Sequence, residues 1–319
     1  MMDWAAIILG LIVLTGGAEL LIRGAATLAR RFGLSELLIG LTLVGFGTST
    51  PELVSSVQAA LIGSPGVAVG NVVGSNIANI LLILGLSAVI APIAVEAKAF
   101  KRDAPALAMA TLLIIGVSMT GTIGRVSGLI FLVALAAYIA LAYFTERETP
   151  GEPEKQRHED EAAELPAGPK SPLLDIVLVV AGLALLMIGA KFLVGGAINV
   201  ASALGVSETV IGLTVVAIGT SLPELVTSTM AALRGKSALA LGNVVGSNLY
   251  NLLGILGVTA VIAPLATPPE IIAFDNWVML AATALMIVFA FSKNSVSRLE
   301  GGALVAGYGA YLAWLTLTA

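Results

Sequence analysis

Two carboxylates stand almost alone in long apolar stretches of this chain. Between Leu37 and Val95 the one side chain that ionises near neutral pH is Glu52, inside GTSTPELV at 47–54. Glu224 sits in GTSLPELV at 219–226 in the same way. A charge at the centre of a membrane helix costs about 2.5 to 3.5 kcal/mol on insertion scales, so a carboxylate kept there is expected to face a polar interior. Its neighbours are of ligand type. Thr48 and Ser49 precede Glu52 by four and three residues, and Thr220 and Ser221 precede Glu224 likewise; on a helix those spacings share a face. Pro51 and Pro223 have no N–H to give to the carbonyls of Gly47 and Gly219, so the helices are expected to break there. Unwound carbonyls at membrane depth are tolerated where they line a cavity or coordinate an ion.

A second motif supplies amides and hydroxyls. Asn71, Ser75 and Asn79 recur every four residues along one helical face, as do Asn243, Ser247 and Asn251. Asparagine and serine often hold membrane helices together, and that packing role is the expectation for Asn71 and Asn243. Ser75, Asn79, Ser247 and Asn251 are read instead as sharing a site with the glutamates. The summed set is carboxylate, hydroxyl, amide oxygen and backbone carbonyl, without sulfur or imidazole. Such an all-oxygen shell suits hard cations, Ca²⁺ above all. The structural alternative is a hydrogen bond from each glutamate to a neighbouring helix.

The elements that carry these residues must be membrane helices. The 319 residues are 58% hydrophobic and 11% charged, against roughly 25% charged in soluble domains. Ten apolar segments fall near 4–22, 37–62, 67–92, 104–120, 126–144, 173–192, 209–233, 238–264, 274–291 and 301–318, each long enough to cross about 30 Å of hydrocarbon. The first is read as a span and not a secretory signal, because Glu19 interrupts it and the segment at 173–192 resembles it. With no cysteine, disulfides and thiolate chemistry are excluded. Nothing resembles a nucleic-acid-binding patch, no obligate protein partner is evident, and no cofactor is expected.

Sliding the chain against itself by 172 residues matches GLTLVGFGTSTPELVSSV to GLTVVAIGTSLPELVTST at 12 of 18 positions, and GNVVGSNIANILLILGL to GNVVGSNLYNLLGILGV at 12 of 17. The register runs from Gly17/Gly189 to Pro92/Pro264. The expected architecture is therefore an all-α integral membrane protein of ten transmembrane helices, arranged as two five-helix repeats at 1–144 and 173–319, joined by a cytoplasmic linker at 145–172. Because five is odd, the repeats are inverted. Lys191 and Arg125 fall on the side of both termini, while the other 14 of the 16 basic residues fall opposite. By the positive-inside rule both termini lie outside. The linker, rich in Pro, Glu and Gly and holding the lone His158, has too little apolar surface to fold by itself. Glu19 and Lys191 occupy similar positions in segments one and six, where they could pair, though snorkelling to the interface is the expected role.

GTSTPEL and GTSLPEL, each followed by GNVVGSN, resemble the two signature repeats of the sodium/calcium exchanger family, in the cation/Ca²⁺ antiporter superfamily. The likeness covers nearly the whole chain. It implies a bacterial-type antiporter of the plasma (inner) membrane that exchanges Ca²⁺ for Na⁺. It further implies a Ca²⁺ site between Glu52 and Glu224 with the Thr48 and Thr220 carbonyls. Sodium sites would use the same glutamates with Ser49, Ser75, Ser221, Ser247 and the carbonyls of Gly45 and Ala217. The chain departs from the well-studied sodium-coupled members at Asn251, where they carry a carboxylate; here Asn79 and Asn251 are both amides, a pair shared with some bacterial members and with the proton-coupled relatives. Na⁺ or H⁺ is thus the coupling ion. A passive channel and an intramembrane hydrolase are the remaining readings, and the hydrolase lacks a membrane-embedded base.

Overall fold

The computed structural model describes residues 2–147, 172–203, 219 and 221–318. Most of the linker, with His158, and the stretch 204–218 and Thr220 lie outside the described residues.

The first helix, α1 (Met2–Phe32), runs well past the apolar segment that announces it. Its inner stripe continues through Leu21, Ala25, Leu28 and Ala29, all buried, so packing extends the helix beyond Arg23. Next come α2 (Glu36–Thr48) and α3 (Thr50–Leu61), which meet at a 45° bend. Ser49 is the joint, with φ −82° and ψ 9°, and Pro51 lies in the first turn of α3. The expected break is therefore present. Helix α4 (Pro65–Ile90) follows, then a short strand β1 (Ile93–Ala94), α5 (Ala97–Ser118), β2 (Thr122–Ile123) and α6 (Arg125–Arg147).

The second half begins with α7 (Pro172–Ala203). It continues with α8 (Leu222–Leu233), α9 (Ser237–Ile262), β3 (Leu265–Ala266), α10 (Ile271–Lys293), β4 (Ser295–Val296) and α11 (Arg298–Thr318). Among the described residues six helices are long and apolar enough to cross a membrane, or seven if the bent α2–α3 pair counts as one span. The chain is a multi-pass membrane protein.

Burial separates the helices into inner and outer sets. About three quarters of α4 and α9 is buried, 72% and 78% of their spans, against a third or less of the other four. These two helices form the centre of the bundle, and they carry the Asn/Ser motifs. Positions 172 or 173 apart make matching contacts around them. Strand β1 pairs antiparallel with β4, and β2 with β3. Asp103 accepts from Tyr138 Oη at 3.0 Å and Asp275 from Tyr311 Oη at 2.8 Å.

Helices α1 and α7 pack antiparallel: Gly10 lies against Leu193, Gly17 against Leu186 and Gly24 against Asp175. Gly182, Gly189 and Gly196 face back from α7, so each helix offers a glycine every seven residues. A Cβ on Gly10 would stand 2.6 Å from the Leu193 nitrogen, and one on Gly182 the same distance from the Leu21 nitrogen; only glycine allows that approach. Both ends are tied. Asp3 accepts from Asn199 at 2.8 Å, and the fully buried Asp175 accepts from Arg31 at 2.8 Å.

This antiparallel register separates Glu19 from Lys191. Glu19 falls beside the Gly182 end of the pair and Lys191 beside Gly10, about 13 Å apart along the axis at 1.5 Å per residue. Glu19 instead accepts from Arg23, one turn on, and is ion-paired with Arg234 at the end of α8. Lys191 is exposed, as expected for snorkelling.

Candidate functional site

The bend between α2 and α3 and the start of α8 bring the two glutamates into one buried centre. Ser221 has φ −91° and ψ 11°, nearly the conformation of Ser49, so the two glutamate-bearing helices start alike, and a break ahead of Pro223 falls outside the described residues. Glu52 and Glu224 are each 1% exposed. Their hydroxyl partners are exchanged between the halves: Ser49 Oγ donates to Glu224 Oε1 at 2.9 Å, and Ser221 Oγ donates to Glu52 Oε1 at 3.3 Å. The other carboxylate oxygen of each, Oε2, is buried with no hydrogen-bond partner among the described residues. A buried carboxylate oxygen without a donor is costly unless a cation meets it.

The second motif lies on the two central helices, α4 and α9. Asn79 and Asn251 are both 1% exposed, and the Oδ1 atom of each is also buried without a donor. Ser247 Oγ donates to the Gly45 carbonyl at 3.3 Å, joining two groups named from the sequence. Thr48 Oγ1 turns back to the Val44 carbonyl at 3.0 Å and also contacts Asn243 Oδ1 at 3.2 Å. Ser75 is buried on α4, one turn before Asn79. The side chains of Ser75 and Asn251 make no hydrogen bond among the described residues; Thr220 and Ala217 lie outside them. No cluster of three or more carboxylates or histidines occurs among the described residues, so any cation here would meet two carboxylates and neutral oxygens.

Asn71 and Asn243 do hold helices together. Asn71 Nδ2 donates to the Glu52 carbonyl at 3.3 Å and to Ser56 Oγ at 2.9 Å. Asn243 repeats this with the Glu224 carbonyl at 3.3 Å and Ser228 Oγ at 2.8 Å. Each thus fastens the glutamate-bearing helix to the central helix beside it.

Comparison with known proteins decides what this oxygen-lined centre belongs to. The family model described as "Sodium/calcium exchanger protein" matches residues 2–144 and 174–317. The chain belongs to the sodium/calcium exchanger family. Within that family it is 38% identical over 309 residues to the putative antiporter CaxA of Alkalimonas amylolytica, covering 96% of each chain. It is 33% identical to the sodium/calcium exchanger MaX1 of Methanosarcina acetivorans, covering 97% of each. Among solved structures, the sodium-calcium exchanger NCX_Mj soaked with zero Na⁺ and Ca²⁺ superposes with a TM-score of 0.84 at 30% identity, covering 98% of this chain and 99% of that one. Exchangers are antiporters, and the family is one of transporters, not enzymes.

Reading the sequence missed two features of this exchanger's centre. Asn76 and Asn248 are buried, and Asn248 Oδ1 accepts from Asn79 Nδ2 at 3.0 Å, which turns Asn79 Oδ1 away from it. Both close the repeated GNVVGSN motif, and that repetition was the available signal. The central helices also widen to π turns at Asn79–Leu84 and Tyr250–Ile255. Such bulges often mark functional sites; here they begin at or one residue before the site amides.

Proposed function

We infer that the chain exchanges Ca²⁺ for Na⁺ across the plasma membrane by alternating access at the Glu52/Glu224 site. The observation that carries this reading is the exchanged pair of serine–glutamate bonds with an undonated Oε2 on each carboxylate. Together with the undonated oxygens of Asn79 and Asn251, they form an anionic, all-oxygen, buried shell of the kind hard cations select. A relative of 33% identity named a sodium/calcium exchanger supports the pairing of ions.

Two carboxylates carry a charge of about minus two, which one Ca²⁺ or two Na⁺ can neutralise. The same oxygens cannot hold both cargoes fully, so the ions compete and one is carried out as the other is carried in. The two inverted five-helix units, with both termini outside, account for the matched contacts of the fold. The strand pairs β1–β4 and β2–β3 each join loops that the basic-residue distribution assigns to one face. In this mechanism the glycine-packed pair α1 and α7 moves as one body across the core. Leu183 and Val194 of α7 press against Gly47 and Gly219 beside the site, and displacement of α7 would open one approach or the other.

Glu52→Gln and Glu224→Gln test the site. Each is expected to abolish Ca²⁺ uptake into vesicles while the helical content of the purified protein is retained; uptake in both variants would refute the assignment. The amide pair Asn79 and Asn251 favours a second reading, a proton-coupled Ca²⁺ antiporter in which two protons neutralise the same glutamates. Uptake driven by a pH gradient in the absence of Na⁺ distinguishes it.

A further inference from the structure

Outside the ion site, α1 and α8 leave a groove of about 490 Å³ lined by Leu11, Ile12, Thr15, Gly16 and Met230, with Glu19 and Arg234 at one end. Its apolar floor follows α1 for about 12 Å, eight residues at 1.5 Å each. Leu11 and Ile12 are 51% and 64% exposed. A Cβ on Gly16 would meet nothing within 4 Å, so the missing side chain leaves room along the floor.

The polar end of the groove carries an excess of positive charge. Glu19 accepts from Arg23 and is ion-paired with Arg234 through its other oxygen, so two guanidinium groups share one carboxylate. The carboxylate is mostly covered, at 18% side-chain exposure, while Arg23 and Arg234 are 66% and 46% exposed. Each guanidinium presents five donors in a fork that suits phosphate, and Glu19 engages only one edge of each. An apolar channel ending in a basic pair at the rim of a membrane helix matches one molecule of the surroundings, a lipid with a negatively charged headgroup.

We propose that the α1–α8 groove binds one anionic phospholipid, its acyl chain along Leu11, Ile12, Gly16 and Met230 and its phosphate on Arg23 and Arg234. The occupant is anionic because a zwitterionic headgroup brings its own cation to the same arginines, and one uncompensated positive charge favours the anionic lipid about fivefold. The phosphate would compete with Glu19 for Arg234, and so would loosen the tie between α1 and α8.

The test uses the purified full-length chain, stripped of lipid in detergent and titrated separately with phosphatidylglycerol and phosphatidylcholine, with bound lipid counted by native mass spectrometry. One phosphatidylglycerol should be retained per chain at about one fifth of the phosphatidylcholine concentration needed. Arg234→Gln should erase that preference, and Arg23→Gln, at the more exposed arginine, repeats the test should the first variant fail to fold. Gly16→Leu, which fills open space, should weaken binding of both lipids, and inorganic phosphate at equal concentration should displace neither. Equal retention of the two lipids by the unaltered protein would overturn the proposal. So would unchanged binding in Gly16→Leu, or displacement of the lipid by inorganic phosphate.

Discussion

Replacing Asn251 by aspartate should convert a voltage-insensitive exchanger into a voltage-driven one. Asn251 is 1% exposed and its Oδ1 has no donor among the described residues, so the isosteric substitution changes charge and not shape. With Glu52 and Glu224 alone the site carries about minus two, and a cycle of two Na⁺ against one Ca²⁺ moves no net charge. In the Asn251→Asp variant the site carries about minus three, three Na⁺ neutralise it, and each cycle moves one net charge. One charge crossing 100 mV is worth about 2.3 kcal/mol, which is a factor of about 50 in the Ca²⁺ gradient that exchange can sustain. The assay is the steady-state Ca²⁺ gradient in proteoliposomes held at set potentials by a K⁺ ionophore, together with currents on solid-supported membranes. The unaltered protein should hold the same gradient at every potential, and Asn251→Asp should shift it toward that limit. A full charge per Ca²⁺ in the unaltered protein, or a voltage-insensitive Asn251→Asp, would refute the charge accounting.

The paired outer helices yield two further tests. Gly182→Ala would place a Cβ 2.6 Å from the Leu21 nitrogen; overpacking of that kind costs about 1 to 3 kcal/mol, so the melting temperature and the exchange rate should both fall. Gly16→Ala, on the partner helix but facing open space, should melt no lower than the parent; equal losses in the two would contradict the close packing of α1 and α7. Asp175→Asn leaves Arg31 facing a neutral amide at a fully buried position, and breaking a buried pair costs about 3 to 5 kcal/mol. Its thermal stability should drop well below that of Asp3→Asn, which alters only the more exposed Asn199 contact.

What was legible in the sequence was what stands out against an apolar background. A lone carboxylate in a run without charge marks itself, and its recurrence 172 residues later marks its partner; the serines and amides one turn away follow from helical spacing. Pro51 announced the bend at Ser49 because a missing N–H has a fixed consequence for a helix. Asn76 and Asn248 were not singled out, since a buried asparagine that positions a ligand has the same spacing as one that packs a helix. The π turns at Asn79 and Tyr250 are encoded by no residue type. The matched aspartates Asp3/Asp175 and Asp103/Asp275 lie where flanking residues have diverged, so single coincidences at the repeat offset carried no signal until their contacts were seen. The length of α1 was underestimated because its last turns are held by the Ala25–Leu28–Ala29 stripe against neighbours and not by hydropathy.

The central claim is that Na⁺, acting at the two glutamates, drives Ca²⁺ movement. It is met most directly by Ca²⁺ flux into proteoliposomes containing only the purified protein, with outward Na⁺, K⁺ and H⁺ gradients imposed one at a time. Uptake of Ca²⁺ against its gradient should occur with the Na⁺ gradient alone, whereas uptake driven by the H⁺ gradient without Na⁺ would contradict the account.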